Sequence, residues 1–383
     1  MKESVIIQQK KRIQLKFGFL KKDLVFTISL FLAACSCFIH PPKLEYINFN
    51  VLVSLFNLML AIKALEELKV LDKFAITILN KTKNSKNVSA ILTLLCFFSS
   101  MFVTNDVALL TFVPLTLVIS KMTKINMMET IILQTIAANI GSSLTPMGNP
   151  QNLFIYSYYG LTALPFFLTI FMITVIGVVI LYFLIQRLQS NQVKVDLNTV
   201  SYGNRKKTIV WVVVLAIIIA SIFGLINYPL AFIITLGATV ILSANLLLKI
   251  DYLLLITFVC FFIFIGNISN SITVQSFASA SLKNTSSVYF SSILLSQFIS
   301  NVPASILLAQ FTTDWKPLLQ GVNIGGLGTV IASLASVISY KLYIQENPHE
   351  SKKYLIKFSI YNFSFLAFLS LAQYLVLKFM GFF

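Results

Sequence analysis

Two polar interruptions in apolar segments are the parts of this sequence best suited to bind an ion. The first runs from Asn139 to Asn152 and the second from Asn323 to Thr329. Both begin with Asn-Ile-Gly and carry a threonine four residues beyond the glycine. Hydrocarbon cannot form hydrogen bonds with freed backbone groups, so an interruption at membrane depth must face protein or a wet cavity. Paired interruptions in the two halves of a membrane protein indicate a transporter's binding site.

The chemistry of these interruptions is that of exposed backbone and small polar side chains. Helix N-termini carry a partial positive charge that suits an anion, whereas freed carbonyl groups with Ser, Thr and Asn oxygens suit a sodium ion. Glycine allows close approach of the backbone, although the same glycines could serve only helix packing. Three residues are predicted to contact substrate: Thr145, Asn149 and Thr329. Four are predicted to contact a coupling ion: Asn139, Gly141, Asn323 and Gly325.

A second pair of matching segments precedes the two interruptions. Ser100–Ala108 aligns with Ser296–Ala304, and Ser, Phe, a β-branched residue, a hydroxyl residue, Asn and Ala recur in register. At the centre, Asn105 corresponds to Asn301, and we predict coupling-ion contacts from both amides. Each segment interrupts an apolar run, so the sequence predicts a pair of helices with a polar tip in each half.

Asp106 is the one convincing carboxylate inside a predicted apolar segment. Its counterpart is Val302, so the repeat does not require a charge at this position. A carboxylate at membrane depth is costly and usually functional, and no basic residue lies in the middle of a predicted span. We therefore predict that Asp106 binds sodium or takes up a proton. The alternative is a helix cap, in which Asp106 accepts backbone N–H groups at the start of residues 107–120.

The composition indicates a membrane protein. Of 383 residues, 57% are hydrophobic and only 11% are charged, against about a quarter charged in soluble domains. The net charge of +16 comes from basic residues in short loops between apolar runs, which is the positive-inside pattern and not a nucleic-acid-binding surface. We therefore expect the lipid bilayer of the plasma membrane as the environment, with the N-terminus cytoplasmic and no nucleic-acid partner.

The distribution of basic residues predicts nine spans, two hairpins and two inverted repeats. Residues 88–120 exceed one span of about 20 residues, and a single crossing would place the basic loop 187–207 outside. A re-entrant hairpin keeps that loop inside and leaves only four basic residues outside: Lys43, Lys283, Lys316 and Lys378. The predicted parts are a cytoplasmic tail (1–23), a first repeat (24–186; hairpin 88–120, broken helix 127–159), a cytoplasmic linker (187–207) and a second repeat (208–383; hairpin 287–311, broken helix 317–343). Residues 66–81 are predicted to form an amphipathic helix on the inner membrane surface.

These motifs resemble those of the ion transporter superfamily, which includes divalent anion–sodium symporters, citrate-type carriers, arsenite permeases and sodium/proton antiporters. The resemblance covers nearly the whole chain from about Leu24 and is carried by the two tips and by Pro146–Asn152. In the anion symporters each tip resembles Ser-Asn-Thr, whose Ser and Asn contact the substrate carboxylate and sodium. The resemblance therefore implies substrate contacts from four residues: Thr104, Asn105, Ser300 and Asn301.

The chain departs from the symporter pattern at the third tip position. Asp106 and Val302 stand where the symporters have threonine, and the Asn105-Asp106 pair with Pro114 downstream is closer to the arsenite permeases. Residues Gly321–Tyr340 are most similar to the citrate-transporter-like branch. The resemblance therefore implies transport while leaving the substrate open.

We predict an all-α polytopic secondary-active transporter of a small anion, a carboxylate of the citrate or dicarboxylate kind, coupled to sodium or protons. The alternatives are an arsenite-type oxyanion exporter and a sodium/proton antiporter, although an antiporter usually carries several intramembrane carboxylates. A channel would need a lined pore, and an enzyme would need a reactive cluster, which the sequence does not show. No cofactor is expected beyond a coupling sodium ion. The assembly state is left open, with a homodimer as one option.

Overall fold

In the computed structural model the described residues are 24–193, 197 and 204–379, and they are almost entirely helical. The predicted cytoplasmic tail 1–23 lies outside these residues, as does part of the linker 187–207. In chain order the helices are α1 (Leu24–Ser36), α2 (Phe49–Glu67), α3 (Val70–Leu79), α4 (Ser85–Val103), α5 (Asn105–Thr123), α6 (Met128–Ser143), α7 (Pro150–Tyr158), α8 (Ala163–Gln186), α9 (Arg205–Ile222), α10 (Tyr228–Ser243), α11 (Tyr252–Ser269), α12 (Ile272–Ser281), α13 (Thr285–Ile299), α14 (Asn301–Ala309), α15 (Trp315–Gly325), α16 (Leu334–Glu346) and α17 (Ser351–Phe379). The all-α polytopic fold class is confirmed.

Asparagine side chains mark the starts of several helices. The side-chain oxygens of Asn48, Asn84, Asn149, Asn204 and Asn284 each accept a backbone N–H at the start of the next helix. These bonds satisfy donors that have no partner within the helix. Local sequence therefore sets many of the boundaries before any tertiary contact is considered.

The apolar helices divide into central and peripheral sets. Seven helices in the described part of the chain are long and apolar enough to cross a membrane. Among the peripheral ones, α8 and α10 expose large apolar side chains such as Phe183 and Ile241, as a lipid-facing helix does. In contrast, α6 and α15 are buried along almost their whole length. The protein is therefore a multi-pass membrane protein with α6 and α15 at its centre.

Helices α4 and α5 form a hairpin that closes at Thr104. Ser85 at the start of α4 and Ile125 just beyond α5 line one cavity together with Arg187, so both open ends lie at the same end of the molecule. At the tip, the backbone N–H of Asn105 donates to the carbonyl of Gly148 at 3.0 Å. Because α7 continues beyond that contact for nine residues, about 13 Å, the tip lies inside the protein.

Helices α13 and α14 form a second hairpin, which closes at Ser300 and opens at the opposite end. The hydroxyl of Tyr159, beyond the end of α7, donates to the carbonyl of Thr312 at 2.8 Å. At the other end of the molecule, Lys121 at the end of α5 forms an ion pair with Glu346 at the end of α16. The broken helix α15–α16 therefore runs opposite to the broken helix α6–α7.

Some sequence-based boundaries and assignments were wrong. The predicted surface helix 66–81 is only Val70–Leu79, and its Ala75, Ile76 and Leu79 are buried against protein, because Lys69 adopts a left-handed conformation that ends α2 and turns the chain. Helix α11 is continuous through Gly266 and Asn267 and ends at Ser269. The first hairpin extends over 85–123 instead of the predicted 88–120, and each of its two 19-residue helices is long and apolar enough to cross a membrane.

We expect positions 121 and 187 to be protected from the same side of the membrane. Lys121→Cys and Arg187→Cys should both resist an impermeant external thiol reagent in sealed cells, after exposed Cys35 and Cys37 have been replaced by serine. Lys316→Cys, at the predicted outer end, is the control and should react. Reaction of one of the two inner positions and not the other would remove the first hairpin from the membrane topology.

Candidate functional site

The two hairpin tips share an unusual backbone conformation. Thr104 has φ 70° and ψ 152°, and Ser300 has φ 73° and ψ 153°. This region is strained for any residue with a side chain and costs of order 1–3 kcal/mol. Strain of this kind persists only where surrounding contacts impose it, and it is concentrated at functional sites. The same strained conformation occurs at equivalent positions of both halves. The two tips are therefore strained in the same way.

Each tip is held by the same hydrogen bond from the broken helix beside it. Thr145 Oγ1 donates to the carbonyl of Met101 at 2.6 Å, and Thr329 Oγ1 donates to the carbonyl of Gln297 at 3.0 Å. Met101 and Gln297 lie three residues before Thr104 and Ser300, respectively. The two threonines that the sequence predicts as substrate contacts therefore fasten the tips to the helix breaks.

The two predicted coupling-ion glycines lie where each broken helix crosses its hairpin. A Cβ atom at Gly141 would overlap the carbonyl oxygen of Phe97, and one at Gly325 would lie 2.7 Å from the Ser296 side chain. Helices α4 and α6, and likewise α13 and α15, are therefore packed closely enough that only glycine fits at the crossing. This packing role is the alternative that the sequence left open.

We expect Gly141→Ala to destabilise the protein by about 1–3 kcal/mol or more, because overpacking against a backbone carbonyl forces the helices apart. Gly237→Ala is the matched control, since Gly237 is also helical and has nothing within 4 Å of the added Cβ atom. The control should be neutral or slightly stabilising, because alanine favours helix. Thermal unfolding in detergent measures both. Equal midpoints for the two variants would contradict the close crossing.

A cluster of buried amides joins the first tip to the second half of the chain. Asn105 Nδ2 donates to Asn139 Oδ1 at 3.1 Å, and Ser333 Oγ donates to the same oxygen at 3.1 Å. Asn139 Nδ2 is buried and has no hydrogen-bond partner in the described part of the protein. A buried unpaired donor is costly, so this amide is available to a bound oxygen ligand.

A second amide chain crosses between the two helix breaks. Asn149 Nδ2 donates to Asn323 Oδ1 at 3.2 Å, and Asn323 Nδ2 donates to Asn152 Oδ1 at 2.7 Å. Asn152 Nδ2 in turn contacts the freed carbonyl groups of the first break, including that of Ser143 at 2.9 Å. The two bonds of Asn323 connect residues more than 170 positions apart, and they hold the two breaks face to face.

The remaining two predicted site residues lie in the first turns after the tips. Asn301 is 3% exposed, and its side chain forms no hydrogen bond to any described residue. Asp106 lies in the first turn of α5, where its Oδ1 is buried and has no hydrogen-bond partner among the described residues. Helix α5 starts at Asn105, whereas a cap at Asp106 would require the helix to start at residue 107. In addition, no described N–H donates to the Asp106 side chain. The capping alternative is therefore wrong in this conformation.

Sequence reasoning missed three residues that complete the cluster: Asn152, Gln297 and Ser333. Gln297 Nε2 donates to the carbonyls of Gly325 and Leu327, at 2.7 and 3.0 Å, which satisfies the second break. Its counterpart Met101 is apolar, so the alignment of the two halves gave no reason to select it. Asn152 is the last residue of the first interruption, so its position in that motif was the available signal.

Buried amides, hydroxyls and broken-helix backbone at the centre of a polytopic membrane protein define a membrane transporter. A family model described as citrate transporter matches residues 13–339 of this chain. An uncharacterized transporter of Methanocaldococcus jannaschii is 34% identical over 309 residues, covering 79% of this chain and 84% of the relative. The inner membrane protein YbiR of Escherichia coli is 27% identical over 338 residues, covering 86% of this chain and 88% of the relative. A putative transporter, arsB, of Dictyostelium discoideum is 28% identical over 141 residues, covering 37% of this chain and 25% of that protein.

The chain therefore belongs to the citrate transporter family, within the ion transporter superfamily that its motifs resemble.

Proposed function

We propose that the protein is a secondary-active carrier that moves a small carboxylate anion across the plasma membrane, coupled to sodium or protons. The observation that carries the proposal is the pair of strained tips, Thr104 and Ser300, each fastened to the break of a buried helix. Chain breaks of this kind inside a membrane protein line binding sites for ions and charged substrates. The predicted orientation, with the N-terminus cytoplasmic, is part of this proposal.

Alternating access through inverted repeats is supported by the arrangement of the two halves. The hairpins open at opposite ends, and each one packs its second helix against the other half: α5 against α16, and α14 against α7. The hydrogen bonds of Asn139 with Ser333 and of Asn149 with Asn323 lie between the halves. Relative movement of the halves would therefore rearrange the amide cluster, which is how access to a central site can alternate.

The anionic substrate is inferred from the helix ends at the site. Helices α5, α7 and α14 all begin at the tips or at the first break, and a helix N-terminus favours negative charge. The amides of Asn105 and Asn301 and the hydroxyl of Thr104 add neutral hydrogen-bond donors, whereas the hydroxyl of Ser300 donates to the carbonyl of Ala332 at 3.4 Å. A carboxylate accepts such donors through two oxygens, and the family description names citrate.

The coupling ion is assigned to the neighbourhood of Asp106. An anionic side chain beside an anionic substrate is unfavourable unless a cation or a proton neutralises it. The Oδ1 atom of Asp106 is buried and has no partner among the described residues. This observation also favours the second candidate, an oxyanion exporter or a sodium/proton antiporter. The partial match to the Dictyostelium arsB protein supports the same alternative.

Transport by proteoliposomes separates these functions. We expect labelled citrate or a dicarboxylate to accumulate when a sodium or a pH gradient is imposed, with each gradient applied separately. Protein carrying both Asn105→Ala and Asn301→Ala is the matched inactive control. Movement of arsenite without carboxylate uptake would favour the exporter, and sodium movement driven by a pH gradient alone would favour the antiporter. Absence of all three would contradict the proposed carrier.

A further inference from the structure

The polar cavity that Ser85, Ile125 and Arg187 line lies at the end of the molecule where the first hairpin opens. Its volume is about 530 Å³, and it is lined by the starts of α4 and α6, the end of α8 and the first part of α17. None of the predicted transport-site residues lines it. The distribution of basic loops predicts that this end is cytoplasmic. The cavity is therefore separate from the amide cluster at the tips.

The charged groups that line this cavity are mainly basic. Three are cationic (Arg187, Lys353 and Lys357) and one is anionic (Glu129). Lys357 pairs with Glu129, and Lys353 is 3.2 Å from Glu350. Arg187 forms no ion pair in the described part of the protein. The cavity therefore retains a guanidinium group, which binds phosphate oxygens bidentately.

Two helix N-termini and a pair of hydroxyl groups in the cavity wall also favour an anion. Helices α4 and α6 begin at Ser85 and Met128, both of which line the cavity, and their N-termini favour a negative charge. The wall also contains Ser89 and Thr130, which are buried and hydrogen bonded to each other at 2.7 Å. A hydroxyl pair shares one hydrogen bond and keeps a second donor hydrogen available.

The outer wall of the cavity continues into a surface that suits acyl chains. Phe183, one turn before Arg187 on α8, is 61% exposed, and Ile360 on α17 is 60% exposed. These apolar side chains lie on two adjoining helices that pack against each other. A basic cavity between membrane helices, flanked by apolar surface at the cytoplasmic side, has the features of a phospholipid headgroup site.

We propose that this cavity binds a phosphate group, carried by an anionic phospholipid or present as free phosphate, with Arg187 as its principal ligand. The bound phosphate would bridge the starts of the first hairpin and of the first broken helix to helices α8 and α17. It would thereby stabilise one arrangement of these elements without occupying the transport site.

The test is the thermal unfolding of the purified full-length chain in neutral detergent at fixed ionic strength. The probes are dioctanoyl phosphatidylglycerol, dioctanoyl phosphatidylcholine and inorganic phosphate, since a ligand that binds only the folded protein raises the unfolding midpoint. We expect a saturable rise with phosphatidylglycerol and none with phosphatidylcholine. Arg187→Gln should weaken the apparent affinity about five-fold, the equivalent of about 1 kcal/mol per basic residue. Arg205→Gln, at an exposed position outside the cavity, is the matched control and should leave the affinity unchanged.

A rise with phosphatidylglycerol but not with phosphate identifies the lipid, and a rise with phosphate at comparable concentration identifies the free ion. If Arg187→Gln does not fold, Lys353→Gln at an exposed cavity position should weaken binding in the same direction. Equal responses to both lipids with no response to phosphate, or equal affinity in the wild-type protein and the cavity variants, would overturn the proposal. The measurement involves no transport, so it is independent of the proposed function.

Discussion

Asn105→Ala and Asn301→Ala are each expected to reduce transport by about 5- to 150-fold while the protein remains folded. Removing one partner of a buried polar contact costs about 1–3 kcal/mol, which corresponds to that range of rates. Loss of the Asn105 amide leaves Asn139 Oδ1 with Ser333 as its one donor among the described residues. Loss of Asn301 removes an amide that is free of hydrogen bonds to described residues and is therefore available to substrate or ion. Initial uptake rates in proteoliposomes measure both effects.

Asn362→Ala is the matched control for both substitutions. Asn362 is also fully buried, but it lies on α17, outside the hairpins and the broken helices, and its side chain donates to the carbonyl of Phe358 at 3.0 Å. Its loss should affect stability slightly and leave transport near the wild-type rate. If the tip variants transport at the wild-type rate with unchanged substrate affinity, the two amides serve only packing, and the candidate site is misplaced.

Asp106→Asn is expected to abolish coupling to the cation gradient. The change is nearly isosteric and removes the ionisable group, so the protein can neither attract sodium by charge nor take up a proton at this position. Because no described N–H donates to Asp106, the substitution removes no helix cap, and asparagine would cap a helix equally well. We expect uptake that no longer responds to an imposed sodium or pH gradient, measured beside the gradient-driven rate of the wild-type protein.

The matched control is Asp314→Asn, the same change at an exposed position between the second hairpin and α15. It should retain gradient-driven uptake. The dependence on pH separates the two cations. Loss of a pH-dependent rate in Asp106→Asn indicates a proton site, whereas loss of sodium dependence at constant pH indicates a sodium site. Full coupling with an unchanged pH profile in this variant would exclude Asp106 as the coupling residue.

The sequence located the tips and the breaks because each one interrupts a local pattern. Asn-Ile-Gly inside an apolar run can be recognised without knowledge of the fold. Backbone groups freed within the hydrocarbon must form hydrogen bonds with protein or with water in a cavity. The tips at Thr104 and Ser300 and the breaks after Ser143 and Gly325 follow from that rule. Composition and the placement of basic residues likewise determined the membrane class. The substrate and the coupling ion were not determined, because amides and helix ends select charge more strongly than molecular shape.

Tertiary structure alone decided which polar groups meet. Asn149 and Asn323 are 174 positions apart, and no periodicity within either segment pairs them. Gln297 could not be selected from the repeat, because its counterpart is Met101, yet it satisfies the carbonyls of the second break. Local sequence determines where a helix must end, since capping and apolar periodicity act over a few residues. The partners of the exposed groups depend on how distant helices cross, which packing across the whole protein decides.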